Sequence, residues 1–162
     1  MDFRRETDSN PEDNCNHYNR MKLRRHAKET KMPVAKFNAR HLGTSEEEGL
    51  SMSEAQFRGL PSNMEVAVGA AVILIHNLAV EHGLLNGTQG FIRDIIYDSR
   101  IGPNNETPAA AMPSCIVVEF PEYVGPAFFD KKKFPERQRW VPLEPREVAK
   151  DDDRSVRRFN IR

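Results

Sequence analysis

The chain has 162 residues, of which 38% are hydrophobic and 30% charged, and its formal net charge is zero. This composition suits one modest folded region with polar flanks, and no apolar run reaches the roughly 18 residues that a membrane span requires. The charge is uneven, at +4 over residues 1–42, −3 over 43–60, −6 over 61–130 and +5 over 131–162, so a polyanion is drawn to the ends and not to the middle.

The start, Met-Asp-Phe-Arg-Arg-Glu, has no apolar signal region, and an intracellular protein is expected. Residues 10–30 read as a helix. Asn10 can cap it, Pro11 suits its first position, and Glu12 and Asp13 favour the positive end of the dipole. Its basic cluster, Arg20, Lys22, Arg24, Arg25 and Lys28, lies toward the other end. Its apolar face, Cys15, Tyr18 and Met21, is thin, so the helix needs packing from elsewhere. Pro33 ends it, and residues 33–40 alternate as a short strand with Ala35, Phe37 and Ala39 on one side. Residues 43–59 are rich in Gly, Ser and Glu without periodicity and read as a loop or linker.

Strand-like runs follow at 64–68, 71–75, 91–97, 114–120 and 140–143. Residues 99–113 read as a surface loop. Pro142 and Pro145 mark the 140–143 run as an edge strand. Four or five short strands separated by turns suggest a small barrel. Residues 148–162 are polar, with Val156, Phe159 and Ile161 alternating loosely as at the start of another strand.

The most informative stretch is Gly69-Ala-Ala-Val-Ile-Leu-Ile-His76-Asn77-Leu78, followed by Gly83-Leu-Leu-Asn86-Gly87-Thr88-Gln-Gly90-Phe-Ile. It reads as a buried strand, a loop, a tight Asn-Gly turn and a second strand. Asn86-Gly87 tolerates the positive φ such a turn requires, and Gly83 and Gly90 permit close backbone approach. Turn chemistry alone fits any barrel hairpin. The full pattern resembles the petite-integration-frequency type of ATP-dependent DNA helicase, with its RecD-like and Helitron-like relatives. Tyr18-Asn19 through Leu23, Pro33-Val34-Ala35, Ala39-Arg40-His41, Val117-Val118-Glu119-Phe120, Tyr123-x-Gly125-Pro126 and Trp140-Val141-Pro142-Leu143-x-Pro145 extend the likeness over residues 14–162. Arg157 to Arg162 resembles the strand that enters the family's next motif, Ile-His-Lys-Ser-Gln.

The resemblance implies a mainly β fold with a flanking α-helix: a small SH3-like barrel inserted in a partial RecA-like α/β domain. Residues 1–42 would be a remnant of the second RecA-like domain, 43–60 an acidic linker, 61–147 the inserted barrel and 148–162 the returning strand. It also implies DNA unwinding in a full-length parent that uses ATP and Mg2+, with roles in DNA repair, recombination and telomere maintenance, and a nuclear location if the source is eukaryotic. This chain carries no Gly-x-x-x-x-Gly-Lys-Ser/Thr loop, so it is expected to bind no cofactor and to be inactive alone, as a fragment lacking its other RecA-like domain. Ile116–Glu119 mimics a magnesium-holding strand only weakly.

No catalytic residue or metal ligand is assigned. His17, His26, His41, His76 and His82 form no close pair in sequence, and Cys15 and Cys115 read as free thiols without a base. The candidate nucleic-acid contacts are His76, Asn77, Asn86, Gly87 and Thr88, together with Lys131, Lys132 and Lys133. Phe128 and Trp140 offer stacking faces. A solvated charged loop is the plainer reading of the lysines, and of the basic helix. Gly83, Asn86, Gly87 and Gly90 are the structural turn. The expected partner is single-stranded DNA, held weakly. The alternative to a helicase fragment is a stand-alone small-barrel module that binds nucleic acid or protein.

Overall fold

The computed structural model describes residues 11–98 and 112–161. The expected cap Asn10, most of the 99–113 loop and Arg162 lie outside the described residues. The fold is mainly β with a flanking helix.

Helix α1 spans Pro11–Thr30. Lys31 stands at φ 58° beyond its last turn, a left-handed position that, with Pro33, stops the helix. The face expected to pack does not: Tyr18 and Met21 are both 58% exposed and Cys15 is exposed. The half-buried residues are Leu23, His26 and Ala27 instead. His26 Nε2 lies 3.0 Å from the Val68 carbonyl oxygen, so a hydrogen bond docks the helix on the turn at Gly69.

Strands β1 (Ala35–Asn38) and β2 (Arg40–Leu42) follow. The segment expected as a linker instead holds α2 (Glu46–Ser51) and a 3-10 turn, Glu54–Phe57. Caps account for both in the absence of periodicity. The Ser45 hydroxyl accepts from Glu48 N–H at 3.2 Å, and the Ser53 hydroxyl accepts from Ala55 N–H at 3.2 Å. Their apolar residues Phe57 and Leu60 are fully buried.

The remaining strands are β3 (Asn63–Val66), β4 (Ala71–Ile73), β5 (Gln89–Ile96), β6 (Cys115–Glu119), β7 (Trp140–Leu143), β8 (Arg146–Ala149) and β9 (Arg157–Asn160). Among the described residues they form three open sheets, ordered β1-β3, β2-β9-β8 and β4-β5-β6-β7, with every pairing antiparallel. The ladders therefore do not close into a single ring. β7, with Pro142, is an edge strand as expected. β8 was not legible, because Pro145 and polar flanking positions hide a strand of only four residues.

The two-stranded and four-stranded sheets share one core. Phe37 of β1, Val66 of β3, Ile92 of β5, Ile116 and Val118 of β6, Val141 of β7 and Ile161 beyond β9 pack together. Each such side chain contributes roughly 1.5–3 kcal/mol on burial. Phe37 and Ile161 thus add to the packing of 61–147. A cavity of about 590 Å³ opens between α1 and the four-stranded sheet, lined by Leu23, Val72 and Leu143 among others.

The second, smaller cluster is unusual. Phe57, Leu60 and Val156 surround Arg158, which is fully buried. Loose alternation predicts an apolar inward face for β9; the structure turns Arg158 and Asn160 inward instead. Arg158 donates from Nη1 to Leu60 O and from Nη2 to Gly49 O and Met52 O, each at 2.9 Å. Its Nε donates to His41 Nε2 at 2.8 Å, and its guanidinium lies 4.1 Å from the Phe57 ring centroid. The Gly49 and Met52 carbonyls close α2, where the helix dipole favours a cation. Asn160 adds a bond to Pro61 O at 2.8 Å.

Because His41 Nε2 accepts a hydrogen bond, its proton sits on Nδ1, which is buried without a partner among the described residues. Burial, and then the Arg158 charge, lower the His41 pKa below the ordinary imidazole value. The neutral ring is the folded form, so its contribution to stability is complete above the unfolded pKa. It is lost as pH falls from about 6.5 toward the depressed folded value, at no more than about 1.4 kcal/mol per pH unit. Urea denaturation between pH 7.5 and 5.5 should show this loss in the native chain and a flatter profile in His41→Gln, which keeps an acceptor but does not titrate. Identical slopes would show that His41 is not the group responsible.

Candidate nucleic-acid interface

β4 and β5 are joined by residues 74–88, a long folded loop that ends in the expected turn at Asn86-Gly87. Ala79 and Leu84 form an isolated bridge around a 3-10 turn, Val80–His82. The Asn-Gly pair sits in the turn closed by Thr88 N–H to Leu85 O at 3.0 Å. Only its Gly87 is left-handed, at φ 92°; Asn86 is not. Gly87 N–H also bonds to Leu74 O at 2.8 Å, returning the chain to β5.

Several of the candidate contacts hold this loop together. Thr88 is buried, and its hydroxyl donates to Gly83 O at 3.1 Å and accepts from Leu85 N–H at 3.2 Å. Its role is internal. Asn77 Oδ1 accepts from Asn86 N–H at 2.8 Å, which leaves the Asn77 amide nitrogen and the Asn86 side chain facing solvent beside exposed Gly87. His76 is half-buried next to Gly59, where an added Cβ would lie 3.9 Å from its Nε2.

The glycines act in different ways. A Cβ on Gly83, at φ 81°, would lie 2.6 Å from Glu122 O, whereas one on Gly87 would meet open space. Gly90 is not left-handed; a Cβ there would press on Val118 and Phe120. The Gly83 contact belongs to a latch between two loops. Val124 N–H bonds to His82 O at 3.1 Å, and the His82 ring stands edge-on to Tyr123 with 6.3 Å between centroids.

Tyr123 is buried. Its hydroxyl donates to Pro126 O at 2.8 Å, and burial raises its pKa. Phe128 stacks on it at 6.2 Å and 30° and remains 56% exposed, so one aromatic face is supported from below and open above. Three residues further on, Lys131, Lys132 and Lys133 are exposed on a backbone fixed by Phe134 N–H to Asp130 O and Lys132 N–H to Asp130 Oδ1, each at 2.8 Å. Arg137 organises the remainder of this segment. Its guanidinium lies 4.3 Å from the Phe134 ring centroid, 4.8 Å from that of Trp140 and 5.8 Å from that of Phe129. Trp140 is thereby committed to packing with Arg137 and Phe129. Nothing in the sequence distinguished Arg137 from its basic neighbours.

No phosphate-loop sequence exists, and among the described residues no group of three His, Cys, Asp or Glu is placed to hold a metal. Glu119, at the end of the strand that mimics a magnesium site, accepts from Arg93 Nε at 2.7 Å. Burial raises the Cys115 thiol pKa, with help from Glu144 and Asp94, so it is a poor nucleophile. No helix among the described residues is long and apolar enough to cross a membrane.

Comparison with known proteins bears on this same loop. Residues 55–95 match the family model of the DNA helicase Pif1, 2B domain. The match bears out the resemblance to Pif1-type helicases over the segment that holds β3, β4, the 74–88 loop and β5. Among solved structures, the Pif1 helicase from Candida albicans is similar at a TM-score of 0.48 and 18% identity, over 90% of this chain and 32% of that one. The chain thus spans about a third of that helicase's length. Comparison with curated protein sequences gives no match.

Gly87→Ala should lower stability by about 1 kcal/mol, from left-handed strain alone. Gly83→Ala should cost clearly more, because it adds a backbone clash that breaks the latch. Equal melting curves for the two variants would show that the two loops are not latched at Gly83.

Proposed function

We propose that this chain is part of an ATP-dependent DNA helicase of the Pif1 type and serves it as a DNA-side module, a small SH3-like barrel carried by part of a RecA-like domain. The observation that carries the reading is the match of residues 55–95 to the Pif1 2B domain, a segment whose loop latches onto the aromatic and basic segment 120–140. In the parent enzyme ATP and Mg2+ are held by other parts of the motor. Nucleotide-driven closure there moves the strand that this module helps to guide. Its place is with DNA, in the nucleus where the cell has one.

Lys131, Lys132 and Lys133 follow the phosphates as point charges, and the open face of Phe128 stacks a base. Asn77 and Asn86 offer short polar contacts at the loop edge. The acidic middle of the sequence limits the grip, so affinity for a single strand is low and sensitive to salt.

The full chain with a fluorescent oligothymidylate tests this. Weak binding is expected, with no DNA-stimulated ATP turnover. Replacing the three lysines by Gln should reduce the salt slope of log K by about 2, at roughly 0.7 for each phosphate no longer neutralised. Tight, salt-insensitive binding, or turnover of ATP by this chain alone, would refute the reading.

A further inference from the structure

The fold brings three arginines from distant segments to one concave surface. Arg58, Arg146 and Arg154 line a cleft of about 320 Å³ together with Glu147, Val148 and Ala149. Arg58 follows the 3-10 turn, Arg146 opens β8, and Arg154 lies in the loop between β8 and β9. Asp151 N–H bonds to Gln56 O at 3.0 Å, tying that loop to the 3-10 turn. Arg58 is held at φ 53°, a left-handed backbone that an ordinary residue adopts only at a cost of about 1–2 kcal/mol.

In sequence Asp151, Asp152, Asp153 and Glu147 lie beside these arginines. In the fold each of these acids is engaged. Asp151 pairs with Arg58 at 3.4 Å, Asp152 with Lys150 at 3.0 Å and Glu147 with Arg157 at 2.8 Å, while Asp153 accepts from the Ser155 hydroxyl at 2.6 Å. Among the described residues Arg146 and Arg154 have no carboxylate partner and are exposed. Two uncompensated guanidinium groups, beside a third in a solvent-exposed pair, make a cationic cleft. The planar fork of arginine matches phosphate oxygens in pairs.

We infer that this cleft is an anion site that takes a backbone phosphate of a nucleic-acid strand, through Arg146 and Arg154 with Arg58 beside them. The strand as the source of the phosphate rests on the function proposed above; the anion site itself does not. Both are tested with the full chain. Oligothymidylate binding is measured against salt for the native protein and for Arg146→Gln/Arg154→Gln, whose unchanged circular dichroism melting shows that the fold is intact. The salt slope should fall by about 1.4, at roughly 0.7 for each of the two charges removed, with affinity reduced several-fold at low salt. In parallel, inorganic phosphate is titrated into the native protein while the arginine Nε–H resonances are followed by NMR. Those of Arg146 and Arg154 should shift together and saturate.

If the native chain binds the oligonucleotide and the double variant binds with the same slope and affinity, the strand assignment is overturned while the proposed function stands. If the native chain binds no oligonucleotide at all, the proposed function fails, and the phosphate titration alone judges the cleft. Absence of saturable shifts at Arg146 and Arg154 overturns the anion site.

Discussion

A guanidinium buried without a carboxylate is the constraint around which this fold is arranged. Arg158 lies near the end of the described chain, yet its hydrogen bonds reach His41, Gly49, Met52 and Leu60. Its charge is met by backbone carbonyls, by a neutral imidazole and by the face of Phe57, a full set of weak dipolar partners in place of one counter-ion. Such a group is costly to bury and more costly to leave half satisfied. The place of β9 and the fold of segment 41–60 therefore depend on each other. Gly49 belongs to this arrangement, since a side chain there would collide with the His41 ring. Asn160 extends the clasp to Pro61, just ahead of β3.

That clasp bears on where the β4–β5 loop and the loop after β6 stand. β3 leads from it into the main core. From that core the β4–β5 loop projects and meets the loop after β6 through His82, Gly83, Tyr123 and Val124. The bulge at Arg93 in β5 bends the strand and delivers Arg93 to Glu119. The surface is thus polar and aromatic at the latched loops and basic along 131–133. The acids of the middle segment are partly neutralised within it.

Much of this was legible in the sequence, for identifiable reasons. Pro11 and Pro33 bracketed α1, alternation marked β1, a strand-like apolar run marked β5, and Pro142 marked the edge strand. The glycine pattern around Asn86 carried the resemblance that residues 55–95 bear out. What failed was anything decided by distant partners. α2 and the 3-10 turn rest on single serine caps within an acidic run. Arg158 looks like Arg157 in sequence, and only the pleat separates the buried one from the exposed one. Thr88 looked like a surface contact because its two internal partners lie in a loop whose path the sequence does not reveal. The arginine cleft was hidden by the aspartates beside it, whose pairing is set by the fold.

Arg158, as a five-donor fork, is what holds β9 and the segment 41–60 to one body. Arg158→Lys keeps the charge but cannot reach four acceptors, and its stability in urea is the most direct test. A loss of about 3 kcal/mol or more is predicted, the range for breaking a buried charged network, with early exposure of Phe57 and Val156. A lysine variant within about 0.5 kcal/mol of the native chain, the range of ordinary surface substitutions, would contradict it.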